Sequence, residues 1–173
     1  KCGSELLQIV NSELVPLKLP DLVINWEFND LSAPDLHGIE DVELMFSANL
    51  GSPQHPITQV ASGGERSRIM LAFKAAVSYR NSVPTIVLDE IDTGVSGDIA
   101  SRMARSMKSM SEGQQVFSVT HLAQVAAMGD QHLEVTKKTD GESTYTKGVF
   151  LDGNQKTEAV ARIISGSVIT DEA

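Results

Sequence analysis

Residues 61–90 read ASGGERSRIMLAFKAAVSYRNSVPTIVLDE. A Ser-Gly-Gly turn opens a run of good helix formers, which predicts a helix over 65–80. TIVLD, residues 85–89, is a short unbroken apolar run and predicts a strand buried on both faces, as in a parallel sheet covered by helices. Ser62, Gly63 and Gly64 stand in front of the helix. Bare backbone N–H groups at a helix start outline an anion site.

The chain on either side of this stretch extends the same pattern. Downstream come a helix over about 97–111, a strand QVFSV at 115–119, a short helix LAQVAAM at 122–128 and a strand HLEVTK at 132–137. STYTKGVFL, 143–151, reads as an edge strand and QKTEAVARII, 155–164, as a closing helix. This alternation predicts an α/β fold, a layered sheet with parallel strands at its centre and flanking helices. Upstream, Leu6, Leu7, Val10, Leu14 and Leu17 fall at helical spacing until Pro16 and Pro20 close the pattern. That helix, 4–15, begins abruptly at the start of the chain, so the sequence is expected to be a piece of a longer protein. LVINWEF (22–28) and DVELMFSA (41–48) alternate as strands do, with NDLSAPDLHG between them read as a loop.

Composition bounds the function. The chain has 173 residues, of which 41% are hydrophobic, enough for one globular core. No apolar stretch is long enough for a membrane span or a signal peptide, and the single cysteine, Cys2, forms no internal disulfide, which together lead us to expect the cytoplasm. Lys and Arg number 14 against 23 acids, a net charge of −9. A surface that grips a phosphate backbone carries a basic stripe, so nucleic acid would be contacted mostly elsewhere.

The chemistry lies at strand ends. TIVLDE delivers Asp89 and Glu90 to the carboxyl end of a strand, where ligands of α/β sheets bind. The pair suits a Mg²⁺ of a nucleoside triphosphate on Asp89, directly or through water, and a water oriented by Glu90, although taken alone it reads more readily as an ordinary strand end. QVFSVTH ends in His121. If the two strands are neighbours, three polar groups converge on one edge.

SGGERSRIMLAFK, TIVLDEIDTGVSG and SVTHLAQVAAMGDQHLEVTK, in this order and spacing, resemble the signature motif, the Walker B strand with its D-loop, and the switch histidine of ABC-type ATPases. In wording they are most similar to the SMC-like branch acting in bacterial DNA double-strand break repair. The resemblance implies that Ser62, Gly63, Gly64 and Glu65 contact the γ-phosphate of ATP held mainly by a partner head. It implies further that Asp89 binds Mg²⁺ directly or through water, that Glu90 is the catalytic glutamate, and that His121 touches the γ-phosphate. Thr93, Gly94, Val95 and Ser96 fall on the D-loop, with Ser96 standing where many relatives carry Asp.

No GxxxxGK[ST] occurs in the chain. The resemblance therefore makes residues 21–173 the C-terminal lobe of an SMC-like head and 1–20 the end of a coiled-coil arm. The implied partners are an N-terminal Walker A lobe of the same protein, a second head in a homodimer, and DNA in the full-length protein, in a bacterial cytoplasm at the nucleoid and without a membrane. Two rivals are a transporter nucleotide-binding domain and a non-catalytic dimerisation module. Transporters usually place Pro after the Walker B acids and Gln after the signature glycines, where this chain has Ile91 and Glu65.

Other residues invite plainer readings. Met103, Met107 and Met110 read as core, and Trp26 as sheet packing. Arg66 and Arg68, in the first turn of the signature helix, read as solvated or salt-bridged, with a phosphate or acidic contact as the alternative. His37, His55 and His132 lack a second ligand at metal spacing.

Overall fold

The computed structural model describes residues 2–36, 38–47, 49, 51–59, 62–78, 83–139, 141 and 143–165. Helix α1 (Cys2–Leu14) leads into a hairpin of β1 (Val23–Asp35) and β2 (Gly38–Ser47), which a two-residue β3 (His55–Pro56) extends. Then follow α2 (Gly63–Ser78), β4 (Thr85–Asp89), α3 (Gly97–Met110), β5 (Gln115–Val119), the four-residue α4 (Ala123–Ala126), β6 (His132–Thr139), β7 (Thr144–Leu151) and α5 (Gly153–Ser165).

The elements are those the periodicity predicts, with three differences. The described residues form three small sheets: antiparallel β1-β2-β3, parallel β4-β5 and antiparallel β6-β7. The parallel centre is thus a single strand pair. Second, the segment read as a loop between the first two strands is mostly strand. Pairing runs from Val23↔Ser47 through Phe28↔Val42 to Asp30↔Glu40 and, past an irregularity, Asp35↔Gly38. Asn, Asp, Ser and Pro there signal a turn locally, but the cross-strand ladder overrides them, and Pro34 is tolerated near the hairpin end. His37, within that segment, lies outside the described residues, as do Ala48 of the expected second strand and Tyr79 and Arg80 of the expected helix.

The third difference concerns β4. Leu88 is fully buried, yet Val87 is 56% exposed, and on β5 Phe117 and Val119 are 49% and 53% exposed. Alternate residues of a strand face opposite sides, so the pair is covered on the face toward the helices and bare on the other. The expectation of burial on both faces fails here because an apolar run shows that a strand is meant to be covered, not which residues cover it.

The core is helical on one side. Leu7, Val10 and Leu14 of α1 with Leu17, Leu71, Ala72, Ala75 and Ala76, Leu88, and Met103 and Met107 of α3 form one buried cluster. Ala at the facing positions of α2 lets α1 pack closely on it. Met103, Met107 and Met110 are core residues, as their spacing predicts. Trp26 packs against this cluster and donates from Nε1 to Gly3 O at 3.1 Å. Among the described residues no helix is long and apolar enough to cross a membrane.

Candidate functional site

Ser62 begins α2 as its N-cap. The Glu65 N–H points at Ser62 Oγ at 3.4 Å, and the Arg66 N–H donates to Ser62 O at 3.0 Å. Ser-x-x-Glu is the sequence of a capping box, so the turn is explained locally before any ligand is invoked. A capping hydrogen bond of 3.4 Å is long, and it leaves the exposed hydroxyl capacity for another partner. Ser62 and Gly63 are exposed, Glu65 is half-buried and Gly64 is buried.

Gly64 is buried against the turn that follows β4. A Cβ on Gly64 would lie 2.6 Å from Gly94 O, and Gly94 itself has φ +78. Only glycine at both positions lets the two backbones touch. Ser67 Oγ adds a hydrogen bond to Thr93 O at 3.1 Å. The turn Ser62–Glu65 and the segment Thr93, Gly94, Val95 and Ser96 are therefore one assembly, and Ser96 goes on to N-cap α3 without a side-chain hydrogen bond.

The two strand ends meet as the shared-edge reading requires. β4 and β5 pair in parallel with Asp89 opposite Val119, and the Glu90 N–H donates to Val119 O at 3.2 Å. His121 follows two residues beyond that partner. Asp89, Glu90 and His121 are all exposed at this edge. Glu90 has φ 45, the left-handed region, which costs a non-glycine residue about 1 kcal/mol or more. Its carbonyl holds the turn by accepting from Thr93 N at 3.1 Å and Thr93 Oγ1 at 2.8 Å.

Sequence reasoning missed Asp92. Its side chain is fully buried and accepts a hydrogen bond at Oδ2 from Thr120 Oγ1, which in turn accepts from the Leu122 N–H at 2.9 Å. Asp92 thus ties the turn after β4 to the residues on either side of His121. Its Oδ1 has no hydrogen-bond partner among the described residues. A buried Asp needs a reason, and fixing the two strand ends relative to one another supplies it.

Arg68 also departs from its expected role. It is half-buried, and its guanidinium donates to Gly64 O at 3.1 Å, Leu17 O at 2.9 Å and Lys18 O at 3.3 Å. Burial pushes its pKa down, and the Glu65 carboxylate opposes the shift. Its hydrogen bonds go to carbonyls of the chain itself. Arg66 is exposed. His55 stacks at a tilt on Phe46, and no group of three or more His, Cys, Asp or Glu among the described residues is placed to hold a metal ion on its own.

The site is an open edge. Two concavities among the described residues, of about 230 and 350 Å³, lie elsewhere, one beside Phe73 and Ile86 and the other between α1 and β1 at Leu7, Asn11 and Trp26.

No family model matches the chain. It is 36% identical over 172 residues to the DNA repair protein RecN of Haemophilus influenzae, covering 99% of this chain and 31% of that protein. It is 44% identical over 135 residues to RecN of Halalkalibacterium halodurans, covering 78% and 24%, and 42% identical over 130 residues to RecN of Treponema pallidum, covering 75% and 23%. Among solved structures it is similar to the Smc head domain from Pyrococcus yayanosii, with a TM-score of 0.69 at 20% identity over 91% of this chain and 28% of that one. It is also similar to a chain from a study of ATP-driven dimerization and DNA stimulated activation of SMC ATPases, with a TM-score of 0.66 at 20% identity. That match covers 94% of this chain and 93% of the other. These likenesses give the fold, that of an SMC head domain. By sequence the chain, which spans between 23% and 31% of the length of these relatives, belongs to the family of the DNA repair proteins RecN.

Proposed function

We propose that residues 21–173 are the C-terminal lobe of an ATPase head that acts in bacterial DNA double-strand break repair, with residues 1–20 the end of a coiled-coil arm. The observation that carries this reading is the common edge: parallel pairing of β4 and β5 brings the two strand ends that lead into Asp89, Glu90 and His121 together. The signature turn, meanwhile, is locked backbone to backbone on the D-loop. The bare face at Val87, Phe117 and Val119 supports it from the other side, because a lobe carrying the Walker A loop has there an apolar surface to cover.

The residues fit Mg²⁺ and ATP in kind. Mg²⁺ is held through one or two carboxylates plus phosphates and water, and exposed Asp89 offers such a carboxylate. When bound, the ion neutralises charge on the transferred phosphoryl group. Glu90, exposed at the strand end, orients the attacking water, and its φ of 45 is a backbone cost of the kind functional sites carry. His121 donates to the γ-phosphate. Ser62, Gly63, Gly64 and Glu65 face ATP on a second head, the exposed hydroxyl and N–H groups at the positive end of α2 meeting its γ-phosphate. The acidic balance leaves DNA to be gripped mainly by other parts of the full-length protein, a soluble cytoplasmic and nucleoid-associated homodimer.

Reconstitution tests the reading. The chain alone should show negligible ATPase activity, and mixing or fusing it with the Walker A lobe of its own protein should restore turnover. Hydrolysis by the isolated chain at the rate of the complete head would overturn the proposal.

A further inference from the structure

We infer that Arg68 is a positioning residue that fixes the signature turn to the C-terminal end of α1. The inference rests on the ATPase-head reading and assigns a role to a side chain which that reading leaves unused. The end of α1 is an unusual acceptor. Leu19 N donates to Leu14 O at 3.0 Å and Lys18 N to Val15 O at 3.1 Å, with Lys18 at φ 60. This is a Schellman turn with Lys in the left-handed position usually given to Gly. It leaves the carbonyls of Pro16, Leu17 and Lys18 directed at two arginines.

The two arginines do different things there. Arg102 of α3 donates from Nη1 to Pro16 O at 3.2 Å and from Nε to Asp98 at 2.9 Å, and Asp98 also pairs with Lys18 Nζ at 2.8 Å. That grip holds α1 to α3 without touching the signature. Arg68 spans both regions: Nη1 holds Leu17 and Lys18, while Nε holds Gly64 O inside the signature turn. A planar guanidinium fixes both ends at once, which a lysine ammonium on a flexible stem does not. Because Gly64 is wedged against Gly94, Arg68 sets the signature and the D-loop together.

The test uses the full-length protein carrying Glu90→Gln, in which ATP-bound dimers should accumulate. Adding Arg68→Gln should weaken ATP-dependent dimerisation about tenfold or more, the worth of a hydrogen bond to a charged group, with ATP binding per head unchanged. Arg68→Lys, which keeps the charge and guards against a variant that fails to fold, should fall short of full rescue. Arg102→Gln loosens the same end of α1 without reaching Gly64 and should dimerise as the parent does.

Equal dimerisation in the Arg68 and Arg102 variants, whether both intact or both lost, would overturn the inference, because it would mean that α1 is merely anchored. Should Glu90→Gln alone form no ATP-dependent dimer, the head reading itself falls, before Arg68 is judged, and the inference falls with it.

Discussion

At the end of α1 each carbonyl from Pro16 to Lys18 meets a guanidinium, whereas on the bare face of β4 and β5 Val87, Phe117 and Val119 meet water. The first region is self-sufficient: Val10, Leu14 and Leu17 are fully buried and the helix end is satisfied by hydrogen bonds. The second has apolar area without a cover, and its strand ends carry two acids and a histidine without a closed pocket. The first region is covered from within the chain, whereas the second leaves apolar residues and two strand-end acids exposed. A lobe of a larger head is expected to have this asymmetry, and it can be broken from either side.

The largest effect should come from the incomplete side. In the full-length protein Glu90→Gln keeps the size of the side chain and removes the carboxylate to which the proposal gives the orienting of water. Steady-state hydrolysis should fall about 100-fold or more while ATP still binds. A variant that hydrolyses ATP normally would leave Glu90 as a strained turn residue and nothing else. On the self-sufficient side, Leu14→Ala empties a fully buried position between α1 and α2. It should cost the isolated chain about 2–5 kcal/mol in denaturant unfolding. A loss under half of that would mean that α1 is less integral than its burial indicates.

Much of this arrangement is legible in the sequence because it is local. Ser62 to Glu65, TIVLDE and His121 each declare themselves within a few residues, and strand pairing then brings Asp89, Glu90 and His121 to one edge. What was not legible depends on distant partners. Asp92 reads as a loop acid until Thr120, 28 residues away, is seen to bond it in the interior. Arg68 reads as a surface charge until Leu17, 51 residues away, is found under it. The β1–β2 hairpin reads shorter than it is because Asn29, Asp30, Ser32 and Pro34 advertise a turn, while the ladder runs on through Asn29↔Asp41 and Asp30↔Glu40 and, past an irregularity, ends at Asp35↔Gly38. The bare face eludes the sequence for the same reason: periodicity reports that a residue wants cover, not which residues supply it.

A milder substitution sharpens that last point. Phe117→Ser on the bare face should change the stability of the isolated chain by less than about 0.5 kcal/mol, as at an ordinary surface position. It should at the same time reduce binding of a hydrophobic dye and weaken association with the Walker A lobe. A loss of stability as large as that of Leu14→Ala would show that Phe117 already belongs to the core, and the contrast between the two regions would fail.

The smallest effect belongs to the clamp at the end of α1 and is read through pH. Hydrogen bonds from Lys18 and Arg102 hold the Asp98 carboxyl down to about 2, against an ordinary value of about 4 in an unfolded chain. A carboxyl whose folded pKa is depressed stabilises the fold above its unfolded value, and that contribution is lost as pH falls through the folded one. The Asp98 contribution should therefore be complete above about pH 4 and vanish toward pH 2. Because Asp98, Lys18 and Arg102 are solvent-exposed in part, salt should weaken it as well. Thermal melting of Asp98→Asn beside the parent at pH 5.5 and again near pH 2 should show a small gap at the higher pH that closes at the lower one. A gap that stays constant across this range would assign the role of Asp98 to the first turn of α3, through shape and hydrogen bonding alone, and would leave Arg68 and Arg102 as the whole of the clamp.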